Sequence, residues 1–154
     1  MNKKITAKII ALISVLALCL GLAACGGGSE STDSSCCADG TYTGRSQDYD
    51  ADESGNGAGY GTAEIEIQDG TIVSCTFTMY ELDGTVKDET YGADLSQENR
   101  LKAQKAVQAG QKYAASLSET GSLDEVDAIT GATISYNEFI EAVNDALSQA
   151  SSAQ

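Results

Sequence analysis

Two hydroxyl side chains, Thr130 and Thr133, fall in the string Asp127-Ala128-Ile129-Thr130-Gly131-Ala132-Thr133, just ahead of a helix start expected at Ser135. A hydroxyl on a glycine-containing loop before exposed helix N–H groups is placed to carry a phosphate, because those donors and the helix dipole both favour negative charge. The chemistry open to it is ester formation through oxygen. A Thr hydroxyl is a weak nucleophile at neutral pH and needs an activating partner to react. Gly131 and Ala132 leave little bulk around it, and Gly131 can adopt a positive φ where the turn requires one. Without this chemistry the same string is a turn before a capped helix, and short motifs of that kind recur by chance.

The elements that would position the loop are legible on both sides of it. Ser135-Tyr136-Asn137-Glu138 fits a capping box, in which Ser and Glu each satisfy an orphaned backbone donor. Tyr136, Phe139, Ile140, Val143 and Leu147 then recur at helical spacing, predicting a helix from Ser135 to about 150 with an apolar stripe. Upstream, Ala103, Ala106, Val107, Gly110, Tyr113, Ala114 and Leu117 make a second stripe within a helix over 96–118. Gly110 lowers helix propensity there and marks a close approach to the sheet or to a ligand. Thr120-Gly121-Ser122 ends this helix, and Leu123 to Ile129 leads into the motif loop.

Before the helices, Gly40 to Gly44 forms a first short strand, and Thr62 to Gln68 alternates, with Ala63, Ile65 and Ile67 on one face. Asp69-Gly70 is a hairpin turn signal. The return strand, Thr71 to Tyr80, places Val73, Cys75, Phe77 and Met79 on one side, giving an antiparallel hairpin with one wet face. Strands, helix, loop, helix predicts an α+β domain over 40–150, a small antiparallel sheet with packed helices around one core.

The D-x-x-T-G-A-T string with its aromatic and apolar helix resembles the flavinylation motif of the FMN-binding domain family. Asp39 to Gly44 is similar to the family's opening D-G-x-Y-x-G phrase, and Leu82-Asp83-Gly84-Thr85-Val86-Lys87 resembles its short members. The family includes flavin-carrying subunits of sodium-pumping quinone reductases and Rnf-type electron-transport complexes, and short surface lipoproteins of Gram-positive bacteria. The resemblance implies FMN joined by a phosphoester to Thr133, placed there by a flavin transferase that takes it from FAD. Asp127, Thr130, Gly131 and Ala132 match the recognition loop, Asp127 either hydrogen-bonding that loop or facing the transferase's metal. The implied role is electron carriage from a membrane donor to an acceptor, more a redox carrier than a stand-alone enzyme. A flavin-dependent reductase subunit and a non-redox binding or signalling lipoprotein are the alternatives.

The N-terminus bears on where such a carrier would work. Lys3, Lys4 and Lys8 precede an apolar run from Ile9 to Leu22 that is short for a membrane span, so residues 1–24 read as an export signal. Leu22-Ala23-Ala24-Cys25 resembles a lipobox, in which Cys25 is lipidated and becomes the first mature residue, tethering the domain outside the cytoplasmic membrane. Cleavage nearby without lipidation is the alternative. Residues 26–39 have the composition of a flexible tether.

The chain has 9 basic against 23 acidic residues, and loss of the three signal lysines leaves 6 basic, a net −17. Nucleic acid and anionic head groups are poor partners for such a surface. The chain has no His, which excludes His-based hydrolytic triads and the usual zinc or haem ligand. Asp48, Asp50 and Asp52 alternate like a calcium loop, but Glu53 stands where its Gly belongs and Gly59 where its Glu belongs. The glycines at 55, 57, 59 and 61 precede a strand rather than a helix, so they form a plain loop or a flavin-lining one, not a phosphate-binding fingerprint. Of the cysteines left after the signal and lipid, Cys36 and Cys37 fall in the tether and Cys75 reads as a small buried hydrophobe. Tyr42, Tyr60, Tyr80, Tyr91, Tyr113 and Tyr136 could stack on a flavin ring, though tyrosines are ordinarily core residues.

Overall fold

The computed structural model describes residues 37–53 and 55–153. The export signal, Cys25, Cys36 and most of the tether lie outside the described residues. The order is β1 (Gly40–Arg45), β2 (Tyr60–Gln68), β3 (Thr71–Tyr80), α1 (Gln97–Thr120), a short 3-10 turn (Leu123–Glu125) and α2 (Thr133–Ser152). The sheet is antiparallel in the order β1-β2-β3, and the α+β reading holds.

The hairpin between β2 and β3 turns on Asp69 and Gly70, with φ of 51° and 70°. Two consecutive left-handed residues match the right-handed twist of the flanking strands, and Asp-Gly adopts them at low steric cost. Alternation along β2 buries Ala63, Ile65 and Ile67 and leaves Glu64 and Glu66 exposed, as the pattern predicts. Along β3 the alternation breaks: Ile65 pairs with Cys75 and Glu66 with Ser74, but Ile67 pairs with Ile72, so Val73 is an extra residue. This β-bulge turns Ile72 into the core at 8% exposure and leaves Val73 at 42%. The expectation that Val73 shares the inner face with Cys75 and Met79 is therefore wrong, because an inserted residue flips every side chain beyond it. Val73→Thr will change stability by no more than about 0.5 kcal/mol, whereas Ile72→Thr will cost about 2 kcal/mol through lost burial and an added hydroxyl; urea denaturation midpoints of the two variants check this.

Helix α1 starts at Ser96, whose Oγ accepts from the Asn99 N–H at 3.3 Å. It ends at Gly121, which has φ 69° and donates its N–H to the Leu117 carbonyl at 2.8 Å. A left-handed cap is cheap for glycine alone, so Gly121→Ala will lower stability by about 1 kcal/mol, measurable as a shift in thermal midpoint. Gly110 lies against β3: a Cβ there would stand 3.1 Å from the Phe77 ring and from the Met79 methyl. The glycine marks the approach of helix to sheet.

Helix α2 covers β1 and β2, and α1 covers β3. The most buried face of α2 carries Phe139, Ala142, Val143, Ala146 and Ala150, while Tyr136, Ile140 and Leu147 of the expected stripe are half-buried at its flank. Gly44 explains the rotation. A Cβ on Gly44 would run into the Ala142 carbonyl and the Ala146 amide, so the α2 backbone lies directly on β1 and only alanines fit between them. Three residues that composition placed in the tether belong to this packing. The Ala38 N–H donates to the Ala150 carbonyl at 3.1 Å, Cys37 Sγ lies 3.7 Å from Ser151 Oγ, and Asp39 accepts from the Gly70 N–H at 3.1 Å.

Candidate functional site

The turn that presents the motif closes with the Ala132 N–H donating to the Ile129 carbonyl at 3.0 Å. Gly131, with φ 78°, supplies the left-handed residue that this turn needs. A buried hydroxyl holds both ends: Tyr113 accepts from the Ile129 N–H at 3.0 Å and reaches the Ala132 carbonyl at 3.5 Å. Tyr136 donates to the Val126 carbonyl at 3.0 Å and fixes the lead-in. These two tyrosines, with rings edge to face at 5.4 Å, are loop clamps rather than free stacking surfaces. Tyr60 and Tyr80 stack on each other at 5.2 Å, with the Arg45 guanidinium 3.8 Å over Tyr60. Of the six tyrosines raised from the sequence, Tyr91 lines the cavity described below.

Helix α2 begins at Thr133, two residues before Ser135, and its N-cap Ala132 provides no side-chain cap. The capping box expected over Ser135 to Glu138 is not formed. Both of its ends are buried in the helix, and with Ser135 as the third helical residue the Glu138 N–H falls within the helix's own bonding rather than at an open end. The first such bond runs from the Tyr136 N–H to the Ala132 carbonyl at 3.0 Å. The N–H groups of Thr133, Ile134 and Ser135 therefore form the open, positive end of the dipole. Thr133 and Thr130 are exposed, as is Asp127; neither hydroxyl nor the Asp127 carboxylate has a hydrogen-bond partner among the described residues. Asp127 does not brace the loop.

The loop borders a cavity of about 700 Å³, within the range typical of small-molecule sites, about 300–1,000 Å³. Gly131, Ala132, Ile134, Ser135 and Glu138 wall it on one side, α1 contributes Ala103, Ala106 and Val107, and the segment after β3 brings Val86, Lys87 and Tyr91. Attached at Thr133, a small molecule would have its phosphate at the helix N-terminus and the cavity beside it.

The glycine run shapes the opposite wall by close approach. A Cβ on Gly57 would run into the Tyr91 hydroxyl, one on Gly59 into Lys87 and the Tyr80 carbonyl, and one on Gly61 into the Phe77 ring. Gly55 and Gly57 line the cavity, so the reading as a lining loop prevails over the plain one. Asp48 faces Arg45, and Asp52 accepts from the backbone and side-chain amides of Asn56 at 3.0 and 2.7 Å. Cys75 is buried, and burial pushes its thiol up to about 12, so it sits in the core as an unreactive thiol.

Two ionisable residues inside the cavity went unnoticed as site residues. Glu138 is 1% exposed and its Oε1 has no hydrogen-bond partner among the described residues; burial raises its carboxyl to about 6, with the Lys87 charge opposing. Lys87 is 8% exposed, and burial lowers its pKa, with Glu138 and Glu81 opposing. It lies 5.2 Å over the Tyr91 ring and makes no ion pair among the described residues. A signal for Glu138 existed: it falls three residues after Ser135 and four before Ala142, on the buried face. Lys87 has no periodic context that would betray its burial.

A buried acceptor without a partner and a lysine facing the same space fit a ligand that offers both a hydrogen-bond donor and an acceptor. Among curated proteins none matches this sequence. The CPE2226 protein of Clostridium perfringens shares the fold, with a TM-score of 0.56 at 23% identity, covering 77% of this chain and 92% of that one. A solution structure from Clostridium thermocellum aligns at 24% identity with a TM-score of 0.40, covering 73% of this chain and 91% of that one. Residues 57–148 match the FMN-binding domain, a span that holds most of the glycine run, the cavity walls and the motif loop, and the protein is a flavin-binding member of the FMN-binding domain family.

Proposed function

We propose that Thr133 carries FMN through a phosphoester, and that the protein is a lipid-anchored electron carrier on the outer side of the cytoplasmic membrane. The observation that carries this reading is the placement of Thr133: an exposed hydroxyl on the first turn of α2, beside the cavity, in a chain whose residues 57–148 match the FMN-binding domain. A flavin transferase is the implied partner. In the attachment step the Thr133 oxygen bonds to the FMN phosphorus of FAD, the pyrophosphate bond breaks, and AMP leaves with the electron pair. The Thr proton goes to a base of the transferase.

The chain's own residues then do three things. The free N–H groups of Thr133 to Ser135 face the phosphate and offset its charge. Tyr113 and Tyr136 keep the loop in one conformation, which limits where the tethered ring can go. Cavity walls from α1 and α2 shield it from water. Bound there, the isoalloxazine would supply one- and two-electron redox chemistry. The signal and Cys25 support export and lipid anchoring, so a membrane donor and a soluble or surface acceptor are the expected redox partners.

Protein produced together with a flavin transferase, then denatured and run on a gel, should keep flavin fluorescence, and its mass should exceed that of the apoprotein by one FMN ester. Colourless protein of unmodified mass from the native host would overturn the reading in favour of a non-redox lipoprotein. Turnover of small organic acceptors beyond the flavin stoichiometry would instead favour a reductase.

A further inference from the structure

We propose that Glu138 and Lys87 receive the hydrogen-bonding edge of the flavin ring inside the cavity, and that their opposite charges set its reduction potential. This rests on the reading that the ring of FMN held at Thr133 occupies that cavity.

A carboxylate oxygen shut away from water with no partner is costly, and native structures retain such a group where something else satisfies it. Glu138 Oε1 is such an atom, on the cavity wall. Lys87 faces the same cavity, buried and without a carboxylate partner among the described residues. The polar edge of an isoalloxazine alternates carbonyl, N–H and carbonyl. A carboxylate accepts from the N–H, and an ammonium donates to a carbonyl beside it.

The placement suits a ligand fixed at Thr133. Glu138 lies five residues along α2 from Thr133, about 7.5 Å of helix, and Ala132, Ile134 and Ser135 beside Thr133 line the cavity together with Glu138. The glycines set the opposite side: Gly59 admits Lys87, and Gly61 lets β2 approach the Glu138 stem, where a Cβ would stand 3.3 Å from Glu138 Cβ. A side chain at Gly59 would displace Lys87, and one at Gly61 would run into Phe77 and crowd the Glu138 stem.

Reduction places negative charge on the pyrimidine part of the ring. In a site shielded from water, a nearby ammonium favours the reduced form and a carboxylate disfavours it. Around the pair, Glu81 just after β3 acts on Lys87 and Glu141 on α2 acts on Glu138, Tyr91 on the loop beyond β3 and Tyr49 before the glycine run feel the Glu138 charge, and Asp52, Asp94 and Lys102 line the same cavity. Glu141 is engaged by the Tyr49 hydroxyl at 2.7 Å and by Gln47. Burial raises the Glu138 carboxyl to about 6, so its influence should be switched by pH.

The test is the midpoint potential of the flavinylated full chain, poised with dithionite in mediators, at pH 7.5 and pH 4.5. At pH 7.5 Lys87→Gln should lower the potential and Glu138→Gln should raise it. Each should change the ratio of reduced to oxidised flavin by about tenfold, equivalent to about 30 mV for a two-electron couple. At pH 4.5, where the Glu138 carboxyl is more largely neutral, the Glu138→Gln shift should shrink. A purely structural role would give no shifts of opposite sign. Unchanged potentials in folded, flavinylated variants, or shifts of the same sign, overturn the proposal. Lys87→Met, which keeps the apolar stem, repeats the measurement should Lys87→Gln not fold.

Failure of covalent attachment is distinguishable. If the parent carries no covalent flavin, free FMN is titrated into it by fluorescence quenching. Binding weakened tenfold or more by both substitutions would leave the pair standing without the ester; equal binding, or none, would sink it.

Discussion

Thr133→Ala should yield a folded protein that has lost all covalent flavin. The hydroxyl is the only atom of that side chain able to form the ester, so the loss is complete rather than graded. Folding should be spared. Thr133 is exposed, its side chain makes no hydrogen bond among the described residues, and the cap of α2 is the residue before it. A substitution of that kind changes stability by about 0.5 kcal/mol or less, and alanine is a good helix former. Thr133→Ser should restore attachment, because it returns the oxygen. Thr130→Ala should reduce the extent of labelling without abolishing it, since Thr130 lies in the turn and not on the helix end where the free N–H groups converge. In-gel flavin fluorescence of denatured protein, with the intact mass as a second readout, checks all three. Labelling that survives Thr133→Ala and disappears with Thr130→Ala would move the ester to the other hydroxyl.

That prediction was available from the string of residues alone, whereas the site around it was not. Helix and strand periods are local, so β2, the hairpin turn at Asp69-Gly70 and the Gly121 cap of α1 follow from nearest neighbours in sequence. The bulge at Val73 does not. It depends on the register between two strands, and an alternating pattern looks the same with or without one inserted residue. The start of α2 failed for a different reason. Ser135 and Glu138 have the types and spacing of a capping box, but the helix gains its first turn from the clamp that Tyr113 places on Ile129 and Ala132, a contact across 16 to 19 residues. That shift turns Glu138 from a surface cap into a cavity wall. Lys87 and the glycine run become meaningful only when the loop after β3 folds back on the end of that strand, as the pairing of Tyr80 with Val86 records, and brings Lys87 against Gly59.

Glu138 carries the second large effect, on stability. Its carboxyl titrates near 6 in the folded protein against 4.5 when unconstrained, a difference equivalent to about 2 kcal/mol at roughly 1.4 kcal/mol per unit. Because the folded value is the higher one, the folded state holds the proton more tightly. Below about pH 4.5 the group is neutral in both states and imposes no ionisation penalty. Between pH 4.5 and 6 the unfolded chain ionises first, and the contribution to stability falls as pH rises. Above about 6 the folded protein also holds a buried charge, and the loss is complete. Glu138→Gln removes the charge while keeping the shape. In flavin-free protein it should therefore add about 2 kcal/mol at pH 7.5 and almost nothing at pH 4. Urea denaturation of both proteins at the two pH values measures the difference, and comparison at the same pH cancels the repulsion among the other acidic residues. A gain that is independent of pH would mean that the substitution improves packing instead. With flavin bound the gain should shrink, because a ring that donates to Oε1 satisfies the carboxylate that the empty cavity leaves alone.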